Sequence, residues 1–336
     1  MTLESFFIGF ATAFFTIFAV HILFFRPQRT RFQTVVGGIM AVWALWSLKD
    51  LVLTFPGMYT PGALRWVMMV DGWSALTYAV FVFETTMTGW FTHRRFLLLS
   101  APFAAFTLAY ALWPTEAVTQ AYAVFLWFFA WTVVIVGYVK VRQQIRYVRE
   151  NFSNIEQIDS SWLTPVMIFS IVSQLAWLFV SFYANTRADI VYYVSVILLW
   201  LMVLRYSWNF TPIRVPDAEA VPVAAPKEYT FAGLLEQTMD EQQLYLNDSL
   251  TLSDLARAIG TNRTYASAYL QQVKGLTFYD YVNQLRIERK SIPLMREHPE
   301  YTLEHVARES GFRSLSTFRR AFVKLTGTTP SQFGRH

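Results

Sequence analysis

Between Gly311 and Leu325 the chain sets Arg313, Ser316, Thr317, Arg320 and Lys324 along one edge of a helical repeat. Leu315, Phe318, Phe322 and Leu325 fall on the other edge. A guanidinium offers paired donors that can meet two acceptors at once, a hydroxyl both donates and accepts, and an ammonium is a point charge. On a helix with an apolar back, such an edge suits a major groove of double-stranded DNA. Arginine would read paired acceptors on a base, hydroxyls would meet base or phosphate, and lysine would hold phosphate. Arg313, Ser316, Thr317 and Arg320 are the candidates for base and nearby backbone contact, and Lys324 and Arg286 for phosphate. No acidic residue follows Glu309, whereas Arg313, Arg319, Arg320, Lys324 and Arg335 do. An ordinary amphipathic helix with a solvated charged face would look the same in isolation, so the elements that position this edge decide the reading.

Those elements repeat. Thr251-Leu252-Ser253-Asp254-Leu255-Ala256-Arg257-Ala258-Ile259-Gly260 and Thr302-Leu303-Glu304-His305-Val306-Ala307-Arg308-Glu309-Ser310-Gly311 share the pattern Thr-Leu-x-x-apolar-Ala-Arg-x-x-Gly, 51 positions apart. Each threonine can cap a helix start, each alanine lets a second helix approach, and each glycine allows a sharp turn. This is the first helix and turn of a helix-turn-helix, present twice. In the first copy the recognition helix is expected over Asn262 to Gln272, with Arg263 and Ser267 as the DNA-facing candidates.

Residues 244–334 resemble the DNA-binding domain of the AraC/XylS family of bacterial transcription regulators. The second unit carries most of the likeness: Gly311-Phe312, Ser316-Thr317-Phe318, Arg320, Phe322, Lys324 and Leu325-Thr326-Gly327-Thr328-Thr329-Pro330-Ser331-Gln332-Phe333. Phe278 to Glu288 resembles the family's linker helix. The resemblance implies two helix-turn-helix units entering successive major grooves about 34 Å apart. Ser267 and Ala268 stand where the family often has arginine, Lys290 where it has a small residue, and Pro293 where it has leucine. An interior proline costs about 3 kcal/mol, so the linker helix is expected to end or kink near Ile292. Its 15 residues from Phe278 would be about 22 Å long.

The chain before residue 211 has another chemistry. The protein is 54% hydrophobic and 15% charged, against about 25% charged in soluble domains. Seven apolar stretches could cross a bilayer, near 3–25, 33–54, 64–91, 95–113, 117–139, 162–182 and 188–210. The alternative, a large soluble helical core, is disfavoured by uncharged runs such as Ala121 to Val139. Nine basic residues (Arg26, Arg29, Arg31, Arg94, Arg95, Lys140, Arg142, Arg146, Arg149) lie on one side of the resulting topology, and Arg65 and Arg187 on the other. The positive-inside rule places the nine in the cytoplasm, the N-terminus outside and the C-terminus inside. Met1-Thr2-Leu3-Glu4 lacks the basic start of a cleaved signal peptide.

The expected fold is therefore all-α: a seven-transmembrane helix bundle over 1–210, a Pro-rich linker over 211–228, and a cytoplasmic AraC-type double helix-turn-helix domain over 229–336. The linker's eighteen residues could reach about 55 Å. Residues 229–247 read as an amphipathic helix with Phe231, Leu234, Leu235, Thr238 and Gln242 on one face, to pack on the domain or pair with a second copy.

Ionisable groups within apolar spans raise a functional question. Lys49 and Asp50 lie near the outer end of the second span. Asp71, about 10 Å down the third, is at a depth similar to Lys49. They form either an outward-facing polar pocket for a signal molecule or a structural ion pair. Glu84 and His21 could pair near the cytoplasmic ends of their spans. Gly37-Gly38 suits close helix packing.

The absence of cysteine excludes thiolate chemistry, and His21, His93, His298, His305 and His336 have no metal-ligand spacing. Phosphate-binding, nucleophile-elbow and dinucleotide motifs are absent from the sequence. The sequence thus reads as no enzyme and calls for no cofactor. Its expected role is that of a multi-pass, one-component transcription regulator in the bacterial cytoplasmic (inner) membrane. Its expected partners are double-stranded DNA, the lipid bilayer, an unknown small-molecule or membrane signal, and a second copy as a homodimer. The alternative is a transporter-like protein with an appended regulatory domain.

Overall fold

The computed structural model describes residues 3–55, 57–58, 60–172, 186–216 and 229–333. The second half of the expected sixth span, most of the Pro-rich linker and Arg335 lie outside the described residues. Everything described is helix, turn or loop, apart from one isolated antiparallel bridge between Phe152 and Thr251. The chain divides into two compact units, Met1–Gln144 with Ser160–Val215, and Ile145–Asp159 with Pro216–His336.

The first unit contains α1 (Leu3–Val20), α2 (Arg31–Leu53), α3 (Pro61–Asp71), α4 (Ser74–Thr86), α5 (His93–Leu112), most of α6 (Glu116–Asn151), α7 (Leu163–Val172) and α8 (Thr186–Ser207). A wider turn over His21–Phe25 extends α1. Among the described residues six helices are long and apolar enough to cross a membrane, with α3 and α4 together making one of them. Described residues of the expected sixth span form only the shorter α7. The expected unbroken third span is interrupted after Asp71, where the chain turns before α4.

Helix α1 packs along α2 and α8. Phe15, Trp43 and Trp200 meet at the centre, with ring centroids 5.7 to 6.4 Å apart. A Cβ on Gly37 would come within 2.9 Å of the Ile22 and Leu23 side chains and displace them, whereas Gly38 faces open space. Outward faces stay apolar: Phe24, Leu45, Leu97 and Leu108 are 61–78% exposed.

The second unit has two small cores. The first gathers Leu235 and Met239 of α9 (Ala232–Glu241), Leu252 and Leu255 of α10 (Leu252–Ala258), and Ala266 and Leu270 of α11 (Arg263–Gln272) around Phe278 and Val282 of α12 (Phe278–Leu285). The second joins Ile287 and Met295 to Val306 of α14 (Leu303–Glu309) and to Phe318 and Phe322 of α15 (Leu315–Thr326). Helix α9 is shorter than the 229–247 read from the sequence. It buries Leu235, Thr238 and Met239, with Phe231 buried just before it, while Leu234 and Gln242 are exposed. The short α16 (Pro330–Phe333) closes the second core through Phe333, 5.3 Å from Phe322.

The linker does not end near Ile292, but its regular winding is broken just before it. A wide turn over Arg286–Ser291 carries α12 into α13 (Ile292–Glu297), with Pro293 in its first turn, where a missing N–H is tolerated. The Ser291 hydroxyl donates to the Arg286 carbonyl at 3.0 Å, satisfying a backbone acceptor. The helical path from Phe278 to Glu297 is therefore roughly 30 Å, longer than expected and closer to the spacing of two major grooves.

Candidate nucleic-acid interface

Each helix-turn-helix begins as its sequence requires. The Thr251 hydroxyl accepts from the Asp254 N–H at 3.2 Å, and the Asp254 carboxylate answers to the Thr251 N–H at 3.1 Å. Thr302 caps α14 by accepting from the His305 N–H at 3.2 Å. The turns rest on Gly260 and Gly311, with φ of 66° and 82°. Asn262 and Ser314 then cap the two recognition helices, α11 and α15. Phe318 and Phe322 are fully buried beneath α15, although Leu325, expected on the same face, is 39% exposed.

The DNA-facing candidates of α15 stand together at its first turns. Arg313, Ser316 and Arg320 are exposed, and Thr317 is buried. Ser314 and Ser316 hydroxyls lie 3.0 Å apart, and Arg320 donates to the Thr317 hydroxyl at 3.4 Å. Arg313 is held by Asp248 at 3.0 Å, and Lys324 by Asp280 of α12 at 2.6 Å. The hydrogen bond from Arg313 holds the Asp248 carboxyl below its ordinary range. On α11, Arg263 is exposed and Ser267 accepts from Gln271 at 3.2 Å.

Arg286 departs from expectation. It is 1% exposed and cannot meet a phosphate from there. Its guanidinium donates to the carbonyls of Tyr245 at 2.6 Å, Asn247 at 2.8 Å and Ser153 at 3.1 Å, to the Asn283 side chain at 3.1 Å, and to the Ser153 hydroxyl at 3.3 Å. It also lies 5.4 Å from the Phe312 ring centroid. Burial lowers its pKa to about 10, so it remains charged at neutral pH. Arg286 thus ties the first core, the linker helix and the second helix-turn-helix together.

The structure also places acceptors over both reading edges. Glu150 accepts from Gln271 at 2.9 Å, and Arg263 lies 5.9 Å from the Tyr147 ring centroid. Glu156 accepts from the hydroxyls of Ser314 and Thr317. Beside its basic residues this connection carries the acidic residues Glu150, Glu156 and Asp159, and this alternation is the sequence signal for the two carboxylate contacts.

In the first unit, Lys49 bridges Asp50 at 2.7 Å and Asp71 at 2.6 Å, and Tyr193 donates to Asp50 at 2.5 Å. The three expected charges do come together, but they satisfy one another. A small apolar cavity among the described residues of this unit is lined by Tyr78, Val133, Val166 and neighbours, and by none of the three. Glu84 is fully buried and pairs with Arg31 at 2.8 Å, while His21 stacks on Trp208 at 5.6 Å. The expected Glu84–His21 pair is therefore replaced by two separate contacts.

Comparison with known proteins bears on the second unit. Residues 255–336 match the family model described as "Helix-turn-helix domain". An uncharacterized HTH-type transcriptional regulator of Staphylococcus aureus (strain COL) is 28% identical over 99 residues, covering 30% of this chain and 13% of that protein. The melibiose operon regulatory protein of Escherichia coli (strain K12) is 30% identical over 87 residues, covering 26% of this chain and 28% of that protein. The likeness thus spans less than a third of either relative. No solved structure matches. The chain carries an AraC-type helix-turn-helix domain at its C-terminal end, among relatives named as transcriptional regulators.

Proposed function

We propose that this protein is a membrane-bound one-component transcription regulator whose two helix-turn-helix units bind promoter DNA sequence-specifically. The observation that carries the reading is the pair of capped helix-turn-helix units joined by the helical linker, with basic and hydroxyl side chains at the start of each recognition helix. Arg313, Ser316, Thr317 and Arg320 read bases and adjacent backbone in the second unit, Arg263 and Ser267 act in the first, and Lys324 meets phosphate. Residues 1–210 form the membrane domain, with seven spans and the C-terminal domain in the cytoplasm. Six long apolar helices with exposed Phe, Leu and Trp on their outer faces support it. So does the basic bias of alternate connections.

The signal enters through the membrane domain, and two copies pair on DNA. The Lys49–Asp50–Asp71 group is the candidate sensing element, since a ligand competing for one of these charges would break a closed ionic cluster. A binding titration of the full-length protein against duplex DNA selected from a random library tests the reading. Sequence-selective binding whose affinity falls steeply with salt is expected. Equal binding to all duplexes would contradict it. The transporter-like alternative predicts solute uptake that Asp71→Asn abolishes, and no observation favours it over the regulator.

A further inference from the structure

Residues 145–159 fold with the DNA-binding unit, and they touch both reading edges at once. At the first, Glu150 accepts from Gln271, which in turn donates to Ser267, and Tyr147 lies against Arg263. At the second, one carboxylate oxygen of Glu156 takes the hydroxyls of Ser314 and Thr317 at the N-terminal end of α15. Between them, Ser153 is anchored by the buried Arg286 through both its carbonyl and its hydroxyl, and the Ser153 N–H donates to the Leu250 carbonyl at 3.1 Å. The segment is thus pinned at its centre and presents a carboxylate to each recognition helix.

A DNA phosphate would seek the same partners. It is an anion that accepts hydrogen bonds, and a recognition-helix N-terminus lined with hydroxyls attracts it through dipole and donors alike. Glu156 supplies that chemistry from within the chain. Duplex DNA cannot take the Ser314 and Thr317 hydroxyls while Glu156 holds them, and the Gln271 side chain is similarly occupied by Glu150. Arg320 remains exposed beside Thr317, so part of the reading edge stays available for a first encounter.

We propose that residues 145–159 are an intramolecular cover that competes with DNA for both recognition helices, so that the described state is the low-affinity one. The proposal rests on the DNA-binding reading above. A protein whose binding-competent state is only partly populated binds with an affinity reduced by that fraction. Releasing the cover therefore raises affinity without adding any contact to DNA.

The test uses full-length protein in lipid nanodiscs and, as probe, labelled duplexes enriched from a random-sequence library by the Glu150→Ala/Glu156→Ala double variant. Each single variant should bind the enriched duplex at least about threefold more tightly than the original protein, and the double variant about tenfold. Glu304→Ala removes an equal charge from exposed α14 and should change affinity by less than about twofold. Hydrogen–deuterium exchange supplies a second reading: saturating duplex should raise uptake across 151–159 in the unaltered chain. Equal affinity of the unaltered and double-variant proteins, or an equal gain from Glu304→Ala, would overturn the cover while leaving DNA binding intact. Failure of every form to enrich any duplex would remove the DNA-binding reading, and the cover with it.

Discussion

Two arginines expected at the DNA interface have opposite fates. Arg320 is exposed at the recognition edge, and Arg320→Ala is expected to cost about 1–3 kcal/mol of binding and relax specificity at one base pair. Unchanged affinity and base preference in a binding titration would remove it from the site. Arg286 instead holds three backbone carbonyls in the interior. Arg286→Met keeps much of the volume but strands those acceptors, and should destabilise the second unit by about 3 kcal/mol or more. Native-state hydrogen exchange over α12 would show it, and unchanged protection would contradict it. The inward position of Arg286 was legible: Phe278, Tyr281, Val282 and Leu285 form a stripe that Arg286 continues at helical spacing. Its basic character points to phosphate instead. Which carbonyls it meets was not legible, because Tyr245, Asn247 and Ser153 come from distant parts of the chain. Asp248 adds a pH dependence. Its depressed folded pKa means the Arg313 contact stabilises at neutral pH and is lost as pH falls through that lowered value. Asp248→Asn should abolish that low-pH loss in an acid titration of folding, and an unaltered titration would argue against it.

At the scale of elements, the repeated ten-residue phrase predicts what the structure contains: two capped helices, two turns and two recognition helices. The turns differ in one respect that the repeat hides. A Cβ on Gly260 would enter open space, whereas one on Gly311 would come within 2.6 Å of the Leu246 carbonyl oxygen. Both have φ in the left-handed region. Gly260→Ala should therefore cost about 1 kcal/mol of unfolding free energy and Gly311→Ala about 2 kcal/mol or more. Equal costs in a denaturant titration would contradict the difference in surroundings. The linker helix was partly legible. Pro293 signals a break by its own chemistry, but its neighbours absorb it through the wide turn and the Ser291 hydroxyl. Such accommodation depends on which carbonyl a side chain can reach, and helical spacing alone does not give it.

For the whole molecule, apolar runs predict the long helices, but not the turn that divides the third expected span into α3 and α4. Hydropathy averages composition over a window, so the single Asp71 and Ser74 beside Gly72 are outweighed by the apolar residues on either side and leave the turn unmarked. The membrane orientation makes a direct prediction, helped by the lack of native cysteine. A single cysteine at Met58→Cys, between α2 and α3, should react with an impermeant thiol reagent on intact cells, whereas Gln157→Cys should react only after permeabilisation. The reverse pattern would invert the topology and put the helix-turn-helix units on the wrong side for DNA.

The central claim, that a protein held in the membrane reads DNA, is tested most directly by crosslinking full-length protein to DNA in cells. Bound fragments would be sequenced while membrane fractions are followed in parallel. A few sharp sites recovered with intact, membrane-associated protein are the predicted result. Intact protein in the membrane with no enriched site, in both the unaltered chain and the Glu150→Ala/Glu156→Ala variant, would contradict it.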